Sequence, residues 1–168
     1  MNHHHHRTSS ANRRFDLQSV IKDFFSVFGT HVTNSFELKI FAKKLKIHKN
    51  FHIVMRDEIK DLPDSNFSAI INYQLSSQGG SHWIGIYSKD EDSKVFVFDS
   101  YGQPVLKELL KKFKNRIRTH DYEIQPKNST LCGQISLLVI YLLKNNYDFH
   151  FILDELKDFF TPKNELHT

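Results

Sequence analysis

The spacing of apolar residues changes along the chain and divides it into elements. Leu17, Val20, Ile21, Phe24 and Phe28 fall three or four residues apart, the spacing of one helix face. Asp16 is placed to cap that helix and Gly29 to stop it. A second helix is predicted from Asn34 or Ser35, with Glu37 three residues after Asn34 as in a capping box. It turns Leu38, Phe41 and Leu45 inward, and Lys39, Lys43, Lys44 and Lys46 mostly outward. From Phe51 the period shortens. Phe51 to Met55 reads as a strand, followed by the charged turn Arg56-Asp57-Glu58 and a loop around Pro63. Phe67 to Tyr73 is a second strand, apolar enough to be central. Gly79-Gly80 breaks the chain before two more strands, 81–88 and 93–100. Tyr101 to Pro104 then turns into a helix with Leu106, Leu109, Leu110 and Phe113 on one face, and 117–124 reads as a further strand.

Beyond it the pattern becomes apolar on every side: Ile135 and Leu137 to Leu143 leave almost no polar face. Such a helix belongs in the middle of a core. A last helix carries Ile152, Leu153, Leu156, Phe159 and Phe160 inward and is stopped by Pro162. No repeat or linker splits the chain, so the prediction is one α+β domain over 15–168, a central, mostly antiparallel sheet flanked by helices. Residues 1–14 have no apolar pattern and are expected to be flexible; His3 to His6 and Arg7 look like a purification tag.

Composition narrows the function classes. The 168 residues suffice for one proper core, and 39% hydrophobic with 25% charged residues is ordinary globular composition. A single cysteine excludes an internal disulfide and suits a reducing compartment. No apolar run approaches the ~20 residues of a membrane span, so no membrane partner is expected. A formal charge of +4 is compatible with an acidic partner without requiring one. Four of the 11 histidines sit in the tag-like segment, and neither His-Glu-x-x-His nor paired-cysteine spacing occurs. No metal or other cofactor is called for.

The candidate chemistry centres on Cys132, between the polar turn 125–131 and the apolar helix. The first turn of a helix offers unpaired N–H groups and the positive end of a dipole, which favour a thiolate and can hold an oxyanion. Gly133 beside it would let a substrate backbone come close. Alone, Cys132 reads more simply as a small buried hydrophobe, and what overturns that reading must come from elsewhere in the chain. The hairpin 81–100 is one such place. If residues 89–92 form a four-residue loop, Ser88 faces Ser93 and His82 lands opposite Asp99. Paired residues on antiparallel strands share a face with Cβ atoms ~4.5–5.5 Å apart, close enough for a carboxylate to orient an imidazole. A one-residue slip would destroy that pairing. Gln125, seven residues before Cys132, could supply a side-chain N–H that completes an oxyanion hole with the Cys132 amide.

With these residues placed, the sequence resembles a known family. Ser81-His82-Trp83, Phe98 to Gly102, and Gln125 followed by Asn128 to Gly133 are similar to the adenovirus protease (adenain) pattern, shared with maturation proteases of Maverick/polinton elements and virophages. Ile53 to Glu58 is also similar to the Maverick-type enzymes. The resemblance implies a cysteine endopeptidase of the adenain/SUMO-protease clan that cuts viral capsid or core precursors during virion maturation, in the virion and at the assembly site inside the host cell. It makes Cys132 the nucleophile, His82 the general base and later acid, and Asp99 the residue orienting His82, with Gln125 and the Cys132 amide as the oxyanion hole. Trp83, Gly79 and Gly80 are candidates for the cleft walls, beside Arg56 and Asp57 of the similar turn. The acid is Asp99, as in the SUMO-deconjugating branch, where many adenovirus enzymes have Glu. No second cysteine exists to tie down an activating peptide by a disulfide. A DNA or peptide activator stays open: Lys107, Lys111, Lys112 and Lys114 could form a non-specific phosphate-binding face, or be the solvated side of a helix. A monomer is expected. The alternatives are a ubiquitin-like-protein isopeptidase or acetyltransferase of the same clan, and a non-catalytic nucleic-acid-binding packaging module in which Cys132 is buried and inert.

Overall fold

The computed structural model describes residues 10–78, 82–91, 93–125 and 130–162, with the side chains of 10–15 excepted. Helix α1 spans Ser10–Phe28 and α2 spans Ser35–Lys44. The first begins six residues before the expected cap, so Asp16 lies inside it. The second begins where the sequence predicts: Asn34 accepts from the Glu37 N–H at 2.9 Å, and the Glu37 carboxylate accepts from the Asn34 N–H. Strands β1 (Phe51–Met55), β2 (Phe67–Asn72), β3 (Trp83–Ser88), β4 (Val95–Phe98) and β5 (Ile117–Arg118) form one sheet in chain order. The two central pairings, β2 with β3 and β3 with β4, are antiparallel; the two outer ones are parallel. Helix α3 (Lys107–Phe113) crosses between β4 and β5, and α4 (Cys132–Lys144) and α5 (Phe149–Phe160) close the chain.

Strand side chains alternate between two apolar layers, as a period of two requires. Ala69, Ile71, Ile84, Ile86, Val95 and Val97 pack with Ile59, Leu62, Leu109 and Phe113 on the face covered by α3. Ile70, Trp83 and Phe98 pack with α1, α2, α4 and α5 on the other. Helix α4 is the apolar element expected in the middle: Ile135, Leu137, Leu138 and Leu142 are completely buried. Each such side chain stabilises the fold by ~1.5–3 kcal/mol. At Gly85 on β3 the sheet comes so close to α4 that a Cβ would lie 3.1 Å from the Ser136 carbonyl. That approach brings the start of α4 to the end of the sheet.

Three expectations are corrected. The β3–β4 register pairs Gly85 with Phe98 and Ser88 with Val95, two residues away from the predicted alignment, with a six-residue connection in place of four. Segment 117–124 contributes only the two residues of β5; thereafter Thr119 donates its hydroxyl to the Val97 carbonyl at 2.8 Å, replacing ladder pairing with a side-chain bond. Leu110, expected on the inner face of α3, is 49% exposed.

Candidate active site

The site is assembled at the ends of β3, β4 and α4. His82 lies one residue before β3 and Asp99 one residue after β4. A two-residue slip preserves the alternation of faces, so both still fall on the same side of the sheet. His82 Nε2–H donates to Asp99 Oδ1 at 2.7 Å, and both residues are buried. The observed register, continued three residues past the Gly85–Phe98 pair, sets Tyr101 opposite His82. Their rings stack, with centroids 4.4 Å apart and planes inclined by 20°.

Asp99 is held from three directions. The Tyr101 N–H donates to its Oδ1 at 2.9 Å, the Gly102 N–H donates to its carbonyl at 2.8 Å, and its own N–H donates to His120 Nε2 at 3.3 Å. His120 in turn bonds the Tyr122 carbonyl through Nδ1 at 2.9 Å. Donating from Nδ1 and accepting at Nε2 requires the neutral ring, and burial lowers the His120 pKa accordingly.

Cys132 is the first residue of α4 and is 6% exposed. The Trp83 N–H donates to its sulfur at 3.4 Å. Asp99 occupies Nε2 of His82, which leaves buried Nδ1 as the nitrogen available to the sulfur. Nδ1 has no partner at full hydrogen-bond geometry, yet the sulfur lies near enough to act on the ring both as a weak acceptor and through its charge. Burial opposes charge on His82, but hydrogen bonding to Asp99 and the nearby sulfur outweigh it and push its pKa from the usual 6.5 up to about 9.

These two histidines set opposite pH limbs. A folded pKa above the unfolded one means that His82 contributes stability fully present below ~6.5 and lost as pH rises through about 9. His120, lowered from 6.5, contributes stability present above that value and lost as pH falls. Asp99→Asn removes the carboxylate that raises His82. The stability difference between wild type and Asp99→Asn, from urea unfolding, should therefore shrink as pH is raised through about 9. A difference that stays constant across that range contradicts the coupling.

Gln125 is completely buried. Its N–H donates to the Ser100 carbonyl at 3.0 Å, its Oε1 accepts from the Ser100 hydroxyl, and its Nε2 lies 3.5 Å from the Tyr101 hydroxyl. The four residues singled out for catalysis are thus brought to one place, together with Ser100, Tyr101 and His120, for which the sequence reading assigned no role. The register offers the signal for Tyr101. His120 comes from a segment misread as a strand.

The cleft candidates fare differently. Trp83 packs under the start of α4 and donates Nε1–H to the Thr33 carbonyl at 3.3 Å. It lines a cleft of about 400 Å³ with Val32 to Ser35, Met55 and Asn72. Gln134 of α4 holds the wall of that cleft, donating to the His31 carbonyl at 2.6 Å. At Gly133 a Cβ would meet Thr33 Oγ1 at 2.3 Å, so the missing side chain lets α4 pack closely against this wall. Arg56 donates to both Glu108 oxygens at 3.0 Å, and Asp57 accepts the Ser76 hydroxyl at 2.7 Å. Arg56 thus joins this segment to α3, and Asp57 ties down the loop at Ser76 that leads toward His82. Gly79, Gly80, Ser81 and the turn 126–129 lie outside the described residues. On α3 and just after it, Lys107, Lys111 and Lys114 are exposed, whereas Lys112 pairs with Asp64 at 3.5 Å and donates to the Lys60 carbonyl.

No family model matches this sequence, and no curated protein matches it at a significant level. Among solved structures, the chain is similar to the ASFV pS273R protease, with a TM-score of 0.55 and 15% identity. That match covers 78% of this chain and 66% of the neighbour, just under two thirds of its length. A selenomethionine structure of the same protease gives a TM-score of 0.54 and 16% identity over 78% and 67% of the two chains. The chain therefore shares the fold of that protease, here a five-stranded mixed sheet with flanking helices.

Proposed function

We propose that this chain is a viral maturation-type cysteine endopeptidase that cuts capsid or core precursor polypeptides through Cys132, His82, Asp99 and Gln125. The observation that carries this reading is the His82 imidazole, bonded to Asp99 at 2.7 Å through one nitrogen and offering the other to a sulfur at the start of a buried helix. Its fold neighbour adds support, being itself a protease by name.

Asp99 keeps His82 strongly basic, and its Nδ1 is the group that takes the proton Cys132 gives up as the sulfur attacks. The sulfur attacks the scissile carbonyl carbon, forming a C–S bond and moving the carbonyl electrons onto oxygen. Gln125 Nε2–H and the Cys132 N–H meet that oxyanion. Collapse breaks the C–N bond, and His82 gives its proton to the departing amine. Water then attacks the thioester while His82 takes a proton from it; the carboxylate product leaves and Cys132 is restored. Asp99 keeps the ring oriented and balances its charge throughout.

The cleft beside Trp83 is the proposed path of the substrate chain, with small residues such as Gly next to the scissile bond. An anionic activator such as DNA would meet Lys107 and Lys111 on α3 and Lys114 just after it, while Lys112 is already engaged. The protein is proposed to act as a monomer at the viral assembly site in the host cell, with no cofactor. The test is to incubate wild type and Cys132→Ala with viral capsid precursors, Gly-containing peptides and ubiquitin-like precursors, and to read the products by mass spectrometry. Cysteine-dependent cleavage of the capsid precursors is the expected result. Processing of ubiquitin-like precursors alone would make the chain an isopeptidase, and no cleavage of any of them would remove the peptidase reading.

A further inference from the structure

Asp99, Ser100 and Tyr101 follow one another just beyond β4, and the middle residue grips Gln125 twice. Ser100 is completely buried; its carbonyl accepts the Gln125 N–H at 3.0 Å, and its hydroxyl donates to Gln125 Oε1. The two ends of a carboxamide are nearly equal in shape, so hydrogen bonds rather than packing decide which way it points. Holding Oε1 at Ser100 turns Nε2 toward the Tyr101 hydroxyl, on the residue whose ring stacks on His82. A reversed amide would present an oxygen to the developing oxyanion and repel it.

We propose that Ser100 is a positioning residue that fixes the Gln125 amide with its N–H toward the scissile carbonyl. The inference rests on the peptidase reading. It makes three consecutive residues a single device in which Asp99 orients the base, Ser100 orients the oxyanion donor and Tyr101 covers the ring between them.

Two reagents separate this role from ordinary structural damage. Iodoacetamide alkylates Cys132 by displacing iodide, and no oxyanion forms. p-Nitrophenyl acetate is attacked at its carbonyl, so an oxyanion forms before p-nitrophenolate leaves and the acetyl thioester remains. Ser100→Ala should slow acylation ~10-fold or more and leave alkylation within about twofold, against a loss of ~100-fold in acylation for Gln125→Ala. Adding Ser100→Ala to Gln125→Ala should slow acylation no further, because the donor to be oriented is already gone. Unchanged acylation in Ser100→Ala, equal slowing of both reactions, or multiplying effects in the double variant would each overturn the proposal while the peptidase reading stands. A wild type whose Cys132 is not acylated at all would overturn both.

Discussion

Cys132→Ala should leave a folded chain with almost no peptidase activity. Among the described residues of the site, the sulfur is the nucleophile set beside the His82–Asp99 pair, and the backbone N–H at position 132 survives the substitution. Catalytic residues that act as a unit are not additive, so the loss should be ~10⁴-fold or more, and His82→Ala added to it should cost little further. The fold should persist, because Cys132 is a small side chain at the edge of the large apolar cluster, already 6% exposed. Product formation followed by chromatography, beside a thermal melt of the same samples, checks both halves. Residual cleavage at a tenth of the wild-type rate would point to another nucleophile or to a contaminating protease.

The second large effect is on stability and falls at Gly102. Its φ of +64° is left-handed, a region that costs an L side chain ~1–2 kcal/mol. A Cβ there would also lie 2.5 Å from both the carbonyl carbon and oxygen of Tyr122. Backbone cannot swing aside as a flexible side chain can, so the turn after Asp99 would separate from the segment that delivers Gln125. Strain and overlap together should destabilise Gly102→Ala by about 2–4 kcal/mol, read as a lower urea midpoint at unchanged slope. Activity should fall in the fraction that stays folded, since Ser100 and Gln125 sit on the two sides of that contact. A midpoint within experimental error of wild type would show that the turn is not held as described.

Much of this was legible where the signal is local. The Asn34–Glu37 cap, the fully buried β2 and the all-round apolar face of α4 follow from neighbouring residues, and the structure reproduces them. The pairing of His82 with Asp99 was found through a wrong register, and it survived because a slip of two leaves every side chain on its face. That register could not be read from the hairpin itself. Arg116, more than twenty residues away, donates to the Ser93 and Asp90 carbonyls and holds the longer connection. His120 escaped for a related reason: its Nε2 reaches the Asp99 N–H from a segment 21 residues on, at a spacing no periodicity marks. The packing role of Gly133 was not legible, because the sequence shows that it is small and not that Thr33 stands against it.

The central claim is that Cys132 and His82 act as one unit, and alkylation of Cys132 by iodoacetamide at neutral pH tests it without any substrate. Wild type and His82→Ala are compared at equal concentration, with unfolded chain as the reference thiol. If His82 accepts the cysteine proton, His82→Ala should react at least ~10-fold more slowly than wild type. Equal rates in the two folded proteins would contradict the account, leaving Cys132 a buried thiol at a helix start.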